Sequence, residues 1–356
     1  MRKRLCLLLL VLLLAGAACN NDEPPATSAA SPSPSPSPSP EPEPVRCPLT
    51  GVEAPDGLDL DRPALAFKID NHPRARPPAG LESADIVYEE LVEGGLTRFL
   101  GINHCGDAED LGPTRSAREV DPDILVQYSP VLFAHSGASP NNLRKLRATA
   151  GIVDVSHGVA GPAYSRRRGR PAPHNLFTST ERLRSLPAAQ DVKGPPETGL
   201  VFDPDLGKKP EESPSPAESP AAGSKPEPAA AAGNSVSFSY SGAAAVSYTY
   251  DPETRRYLRA IGGQPHLAAT GEQLSATNVV VMKVAVNRSG SSPHIAVAGS
   301  GEAIVLRNGE TIRGEWIRPS MTDQTVLVDA ARKPIPLAPG NTWINLLPND
   351  RPATVE

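Results

Sequence analysis

Val87-Tyr88-Glu89-Glu90-Leu91-Val92-Glu93-Gly94-Gly95-Leu96-Thr97-Arg98-Phe99-Leu100-Gly101-Ile102 is the stretch on which the fold of the first half of this 356-residue chain turns. Extended back to Ser83, it places Ala84, Val87, Tyr88 and Leu91 at helical spacing. Gly94-Gly95 between two apolar runs points instead to a hairpin, since glycine enters the left-handed conformations of a tight turn at little steric cost. We read a hairpin of 87–93 and 96–102, with a short helical turn at 81–86 as an option before it. Upstream, Ala64-Leu65-Ala66-Phe67-Lys68-Ile69 is a short apolar run that ends in Asp70-Asn71-His72-Pro73, as a strand delivering polar groups into a loop would. Downstream, Asp121-Pro122 and Ser139-Pro140 each set a capping residue before a first-turn proline, predicting helices near 122–128 and 140–149, the latter closed by Gly151. The run 130–135 between them reads as a buried strand. Strands alternating with helices predict an α/β (α+β) domain over 47–206.

The second half has a different texture. Short β-type runs recur at 237–240, 246–250, 278–286, 295–297, 303–306, 325–328 and 342–346, with few helical patterns between them. Asn308-Gly309 marks a two-residue hairpin, because both residues take positive φ cheaply. These runs predict a mostly β domain over 235–350. Nine of the 41 prolines fall in 24–44 and seven more in 204–228, whereas every aromatic residue lies between Phe67 and Phe202 or between Phe238 and Trp343. Two aromatic-bearing blocks, each expected to hold its own core, are thus joined through 207–234, read as a disordered linker or a long surface loop of one composite fold. A wholly disordered or collagen-like chain is excluded.

The first residues read as an export signal. Met1-Arg2-Lys3-Arg4 is a basic start, Leu5 to Leu14 is apolar, and Ala15, Gly16, Ala17 and Ala18 lead into Cys19. Ten apolar residues are too few for a permanent membrane span. Cleavage before Cys19 with acylation of its thiol competes with ordinary cleavage after an Ala-x-Ala; the segment resembles a bacterial lipobox, with Gly16 where that motif usually has Leu. The composition beyond Cys19 favours the lipoprotein reading, with 1–18 as signal peptide and 19–46 as a Ser/Pro-rich disordered stalk. Polyproline-type chain from Asn20 to Arg46 would reach ~80 Å from its anchor. Cys6 leaves with the signal, so the mature domains keep Cys47 and Cys105, expected to pair as a disulfide in an oxidising compartment, with two free thiols as the alternative.

With 35 basic and 40 acidic residues the net charge is −5, which gives no electrostatic reason to expect nucleic acid as the partner. The dense basic run Arg166-Arg167-Arg168-Gly169-Arg170 lies between turn residues and reads as a solvated loop. Arg98, Arg115 and Arg118 offer planar charged forks, and the last two lie in a Gly-Pro turn with the composition of an anion-binding loop at a helix start. They fit a carboxylate or phosphate ligand, or structural pairing with Asp70, Asp85 or Glu93. Asp70 and Glu93 are candidates for the two carboxylates of a glycosidase, and His135 and His174 are further catalytic candidates. Ser116 and Ser136 sit in no recognised nucleophile motif, and His72, His104, His135, His157 and His174 lack metal-ligand spacing. No metal or cofactor is expected. A pocket formed by Asp70, Arg115, His135 and His174 at strand ends, with Asn71 and Asn175 as further ligand-binding candidates, is the site these patterns suggest.

Cys-Pro-Leu-Thr-Gly at 47–51, Asp70-Asn71-His72, Glu93 to Arg98, Gly112 to Arg118, His135-Ser136-Gly137 and Ala172-Pro173-His174-Asn175, in this order, resemble the YerB-like family of bacterial lipoproteins with domain of unknown function 3048. The resemblance covers 47–190 closely and 235–350 more loosely. It implies an α/β part followed by a β-rich part, export with a lipid anchor and a role at the cell envelope. It implies no reaction. Three functional readings are open: an envelope binding or assembly factor for a wall glycan, peptide or envelope protein, which we prefer; a hydrolase of wall polymer using Glu93 or Asp70 as acid or base; and a scaffold with an exposed apolar patch around Trp316 or Trp343.

Overall fold

The structure is a computed structural model that describes residues 44–208, 231–232, 234–242, 245–288 and 292–356. The expected signal peptide, Cys19, most of the expected stalk and residues 209–230 of the expected linker lie outside the described residues. Residues 44–356 form one compact unit.

Its centre is an eleven-stranded mixed sheet. The first block contributes β1 (Ala64–Asp70), β2 (Ile86–Leu91), β3 (Thr97–Asn103), β4 (Val131–Ala134) and β5 (Ile152–Asp154). The hairpin reading holds: β2 and β3 pair antiparallel, and the turn between them carries Gly94 at φ +69° and Gly95 at φ +71°. The 81–86 segment is an irregular turn running into β2, not helical. α1 (Val120–Leu125) starts earlier than its proline suggests. Asp121 lies inside the helix and not at its cap: its carboxylate accepts from the Arg118 backbone N–H at 2.6 Å and from Lys68 Nζ at 2.6 Å. α2 (Pro140–Ala148) is capped as expected, with Ser139 Oγ accepting from the Asn142 N–H at 3.3 Å.

The second block supplies β6 (Ser235–Ser239), β7 (Ala245–Asp251), β8 (Arg256–Ile261), β9 (Asn278–Val284), β10 (Gly299–Arg307), β11 (Glu310–Arg318), β12 (Val326–Val328), β13 (Thr342–Pro348) and β14 (Ala353–Val355). Asn308 and Gly309, at φ +49° and +77°, make the two-residue turn between β10 and β11. The large sheet runs β12-β11-β10-β9-β13-β2-β3-β1-β4-β5, and the two-residue strand Ala231–Ala232 pairs with β11 as its eleventh member. The pairing that matters most is β13 with β2, parallel and in register from Ile86 opposite Thr342 to Glu89 opposite Asn345. The expectation of separate cores is therefore corrected: the blocks share one sheet, and each face of it is covered by residues of both.

Strand alternation assigns the faces. Phe67, Val87, Phe99 and Trp343 point to one side and pack with Tyr248 and Tyr257 of the small sheet β8-β7-β6-β14 and with Tyr240 just beyond β6. Ala66, Tyr88, Leu100 and Ile344 point to the other and meet Ile124, Leu125 and Leu146 of α1 and α2. Trp316 and Trp343 are both buried, so the exposed apolar patch expected around them is absent. Cys47 and Cys105 form a disulfide with Cα atoms 6.0 Å apart, tying the start of the compact unit to the end of β3. Among the described residues no helix is long and apolar enough to cross a membrane.

Candidate functional site

β1, β2, β4, β5, β9 and β13 all run in one direction, so their carboxyl ends share an edge, the usual place for ligands in such sheets. Asp70 closes β1 there and Arg98 faces it in register from β3. The segment 113–117 lies beside β1 in extended form, with Arg115 N–H donating to the Lys68 carbonyl at 2.9 Å and Ala117 N–H to the Gly137 carbonyl at 2.9 Å. It does not present a helix start to a ligand, as its composition suggested, since the Asp121 carboxylate already takes the Arg118 N–H just before α1.

Three arginines and two carboxylates meet on this edge. Asp70 Oδ2 takes Arg115 Nε at 3.2 Å and His174 Nδ1 at 2.7 Å. Glu93 Oε2 takes Arg118 Nε at 3.0 Å and Nη2 at 2.6 Å, while Ser292 Oγ donates to its other oxygen at 2.5 Å. Burial alone would raise the Glu93 carboxyl, but the Ser292 and Arg118 hydrogen bonds outweigh it and hold it below its ordinary value. Arg98 is different. It is 93% buried, and its hydrogen bond runs from Nη1 to the neutral Ser116 carbonyl at 2.8 Å; among the described residues it has no ion-pair partner. Burial first, then the charges of Arg118 and Arg115, lower its pKa to about 10, with Asp70 and Glu93 offsetting part of the effect. It stays charged at neutral pH, in a place that disfavours charge.

Above Ser116 and Arg118 opens a cleft of about 650 Å³, walled by Glu93, Glu119, the first turn of α2 with Ser139, Asn141 and Asn142, and by Lys145 and Ser292. Lys145 is engaged by Asp123 at 2.5 Å. Sequence reasoning missed the contributions of α2 and Ser292, since their polar residues have no spacing that signals a site.

Arg98 and Arg115 are not among the residues that line this cleft, and the other candidates also fall outside it. His135 is completely buried, with Nε2 3.3 Å from Asp154 Oδ1 and Nδ1 accepting from the Gly137 N–H, so its side chain cannot meet a ligand. His174 does join Asp70 and Arg115, and His72 stacks on it with ring centroids 4.7 Å apart. Asn71 is buried and fully used, donating to Thr97 Oγ1 at 2.7 Å and to Glu89 at 3.3 Å and accepting from Arg76 Nε at 3.0 Å. Asn175 accepts from Arg166 at 2.8 Å and donates to the Arg170 carbonyl at 3.2 Å, bracing its own loop.

Residues 49–193 match the model for "Protein of unknown function (DUF3048) N-terminal domain", and residues 236–344 match that for its C-terminal domain. The chain is 28% identical over 312 residues to the Bacillus subtilis (strain 168) protein named "Putative lipoprotein YerB", covering 86% of this chain and 87% of that one. It is also similar to the crystal structure of YerB protein from Bacillus subtilis, with a TM-score of 0.70 and 26% identity over 87% of this chain and 99% of the other. The α/β part, the strand-rich part and the order of the motifs all agree with these matches, and the chain belongs to the DUF3048 family of proteins of unknown function.

Proposed function

We propose that this chain is a lipid-anchored, extracytoplasmic binding or assembly factor of the cell envelope, and that it holds a compact anionic group, carboxylate or phosphate, in the cleft above Ser116 and Arg118. The observation that carries the binding reading is Arg98: its guanidinium, buried beside Arg115 and Arg118 and in no ion pair among the described residues, lies behind the cleft wall with Nη1 on the Ser116 carbonyl, and so adds an uncancelled positive charge next to the cleft. The cleft adds neutral donors at Ser139, Asn141 and Asn142. The anchor is supported by the basic, apolar and small-residue succession ending at Cys19 and by the name of the Bacillus relative. Export also suits the Cys47–Cys105 disulfide.

Titration calorimetry of residues 44–356 with inorganic phosphate and with purified muropeptides tests the binding reading. Arg118→Met, which removes the guanidinium that lines the cleft, should weaken binding at least tenfold, the order expected for losing a charged hydrogen bond of about 1.5–3 kcal/mol, and Arg98→Met should weaken it less, through loss of a nearby charge; heat-silent titrations with both probes retire it. For the anchor, Cys19→Ser should move the full chain from the membrane to the soluble fraction and abolish labelling with radioactive palmitate.

A hydrolase is the second reading, favoured by the Asp70–His174 contact, which has the form of an imidazole base oriented by a carboxylate. Glu93 is a poor acid here, being held ionised by Arg118 and Ser292. New products in mass spectra of wall fragments, lost in His174→Ala, would favour the enzyme over the binder.

A further inference from the structure

Residues 70–77 and 165–175 together contain six arginines and two histidines against one carboxylate, Asp70, in a chain of net charge −5. The fold lays these segments together. Arg170 donates through Nη1 to the Ala75 carbonyl at 2.7 Å and through Nη2 to the Pro77 carbonyl at 2.9 Å. His72 stacks on His174, and Arg166 donates to Asn175 Oδ1 at 2.8 Å. Arg167 is ion-paired with Asp110, and Asp70 is shared by Arg115 and His174. The acceptors that position Arg166 and Arg170 are neutral, so hydrogen bonding fixes these guanidiniums without cancelling their charge. Arg74, Arg166 and Arg168 are exposed, and among the described residues none of these three, nor Arg170, is held in an ion pair.

We infer that this ridge binds a flexible polyanion with regularly spaced phosphates, of the poly(glycerol phosphate) kind, running from the cleft past Arg115 and His174 to the 166–170 loop. The first contact of that path, in the cleft, rests on the anion-binding reading above; the ridge does not. Neither segment contains Phe, Tyr or Trp, so nucleic-acid bases would find nothing to stack on. Neither exposes a large apolar side chain that would enter a bilayer, which favours a soluble chain over a lipid face.

The test is fluorescence anisotropy of labelled poly(glycerol phosphate) with residues 44–356 and with the double variant Arg166→Gln, Arg168→Gln, from about 50 to about 200 mM salt. These side chains are exposed and line no part of the cleft. The double variant should bind the polymer at least ~10-fold more weakly at the low-salt end. Its plot of log affinity against log salt should be shallower by about 1.4, at about 0.7 per lost contact. Binding of glycerol 3-phosphate, read by calorimetry, should be unchanged. Equal polymer affinity in variant and wild type overturns the inference, as does a polymer that binds no better than its monomer. Preference for phosphatidylglycerol vesicles over the polymer also overturns it, in favour of a lipid surface. If the monomer fails to bind the wild type while the polymer behaves as expected, the cleft reading falls and the ridge stands.

Discussion

Glu90 is completely buried, takes Lys68 Nζ at 2.5 Å on one oxygen and leaves the other without a hydrogen-bond partner. Burial, and then the neighbouring Asp121 carboxylate, push its pKa up to about 7, against the pull of Lys68. The folded state therefore keeps a proton that the unfolded chain releases near 4.5, so this group's effect is absent at low pH and stability is lost as pH rises from about 4.5 towards 7. Glu90→Gln should remove that loss. In urea unfolding, the variant should gain on the order of 2–3 kcal/mol over wild type between about pH 4.5 and about pH 7.5; an unchanged difference would show that Lys68 fully compensates the charge. Arg98 makes the complementary case. Arg98→Met should leave thermal stability equal or higher while anion binding is weakened, because the replaced cation is buried among like charges. At this scale the sequence offered Asp70, Glu93, Arg98, Arg115 and Arg118 as a group, and the fold brings them to one edge, but which of them pair was not legible. Arg98, Arg115 and Arg118 were legible as charged forks, whereas the absence of a partner for Arg98 alone depends on which carboxylates the fold brings within reach.

Among the elements, β8 shows why one strand escaped the sequence reading. Its alternation is Tyr257, Arg259, Ile261 facing inward, and an arginine in the middle of an apolar face breaks the expected pattern. The structure supplies the compensation. Arg259 Nη2 meets Glu89 of β2 at 2.8 Å, Nη1 donates to Tyr248 Oη at 2.8 Å and Nε to His266 Nδ1 at 3.2 Å, and the guanidinium lies 5.2–5.4 Å from the ring centroids of Trp343, Tyr248 and Phe99. Burial is the largest single influence and works against its charge, but Glu89, Tyr248 and Tyr240 together outweigh it and the pKa is raised. His266 is driven down to about 2, by burial and then by Arg259 and Arg76, so it stays neutral and able to accept. Arg259→Met should cost about 3–5 kcal/mol in denaturant unfolding, because Glu89 is then a buried unpaired carboxylate. Adding Glu89→Gln should restore a good part of that loss. A small cost in the single variant would mean that water or Arg76 reaches Glu89.

For the whole molecule, β13 is the element that makes the two blocks one body. It pairs with β2 on one side and with β9 on the other, and Trp343 from it packs edge-on to Phe99 of the first block. A fragment of residues 44–206 would leave β2 as an unpaired edge and expose the face that carries Phe67, Val87 and Phe99. We expect that fragment to lack a cooperative unfolding transition, and residues 44–356 to show a single one by circular dichroism and by tryptophan fluorescence alike. Two separated transitions in 44–356 would show that the blocks are stable independently.

Local pattern by itself determined the elements whose reasons are local. Gly94-Gly95 and Asn308-Gly309 dictate hairpins through backbone conformations open to few other residues, Ser139-Pro140 dictates the start of α2, and alternating apolar runs dictate most of the strands of the second block. The order of motifs was enough to place the chain in its family. Tertiary structure alone decided what depends on contacts between distant residues: that β13 enters the sheet beside β2, that Arg259 finds Glu89 across 170 positions of sequence, and that Arg98, among the described residues, forms no ion pair. Strand pairing and ion pairing are choices among many chemically equivalent partners, and only the packing of both sheet faces selects one.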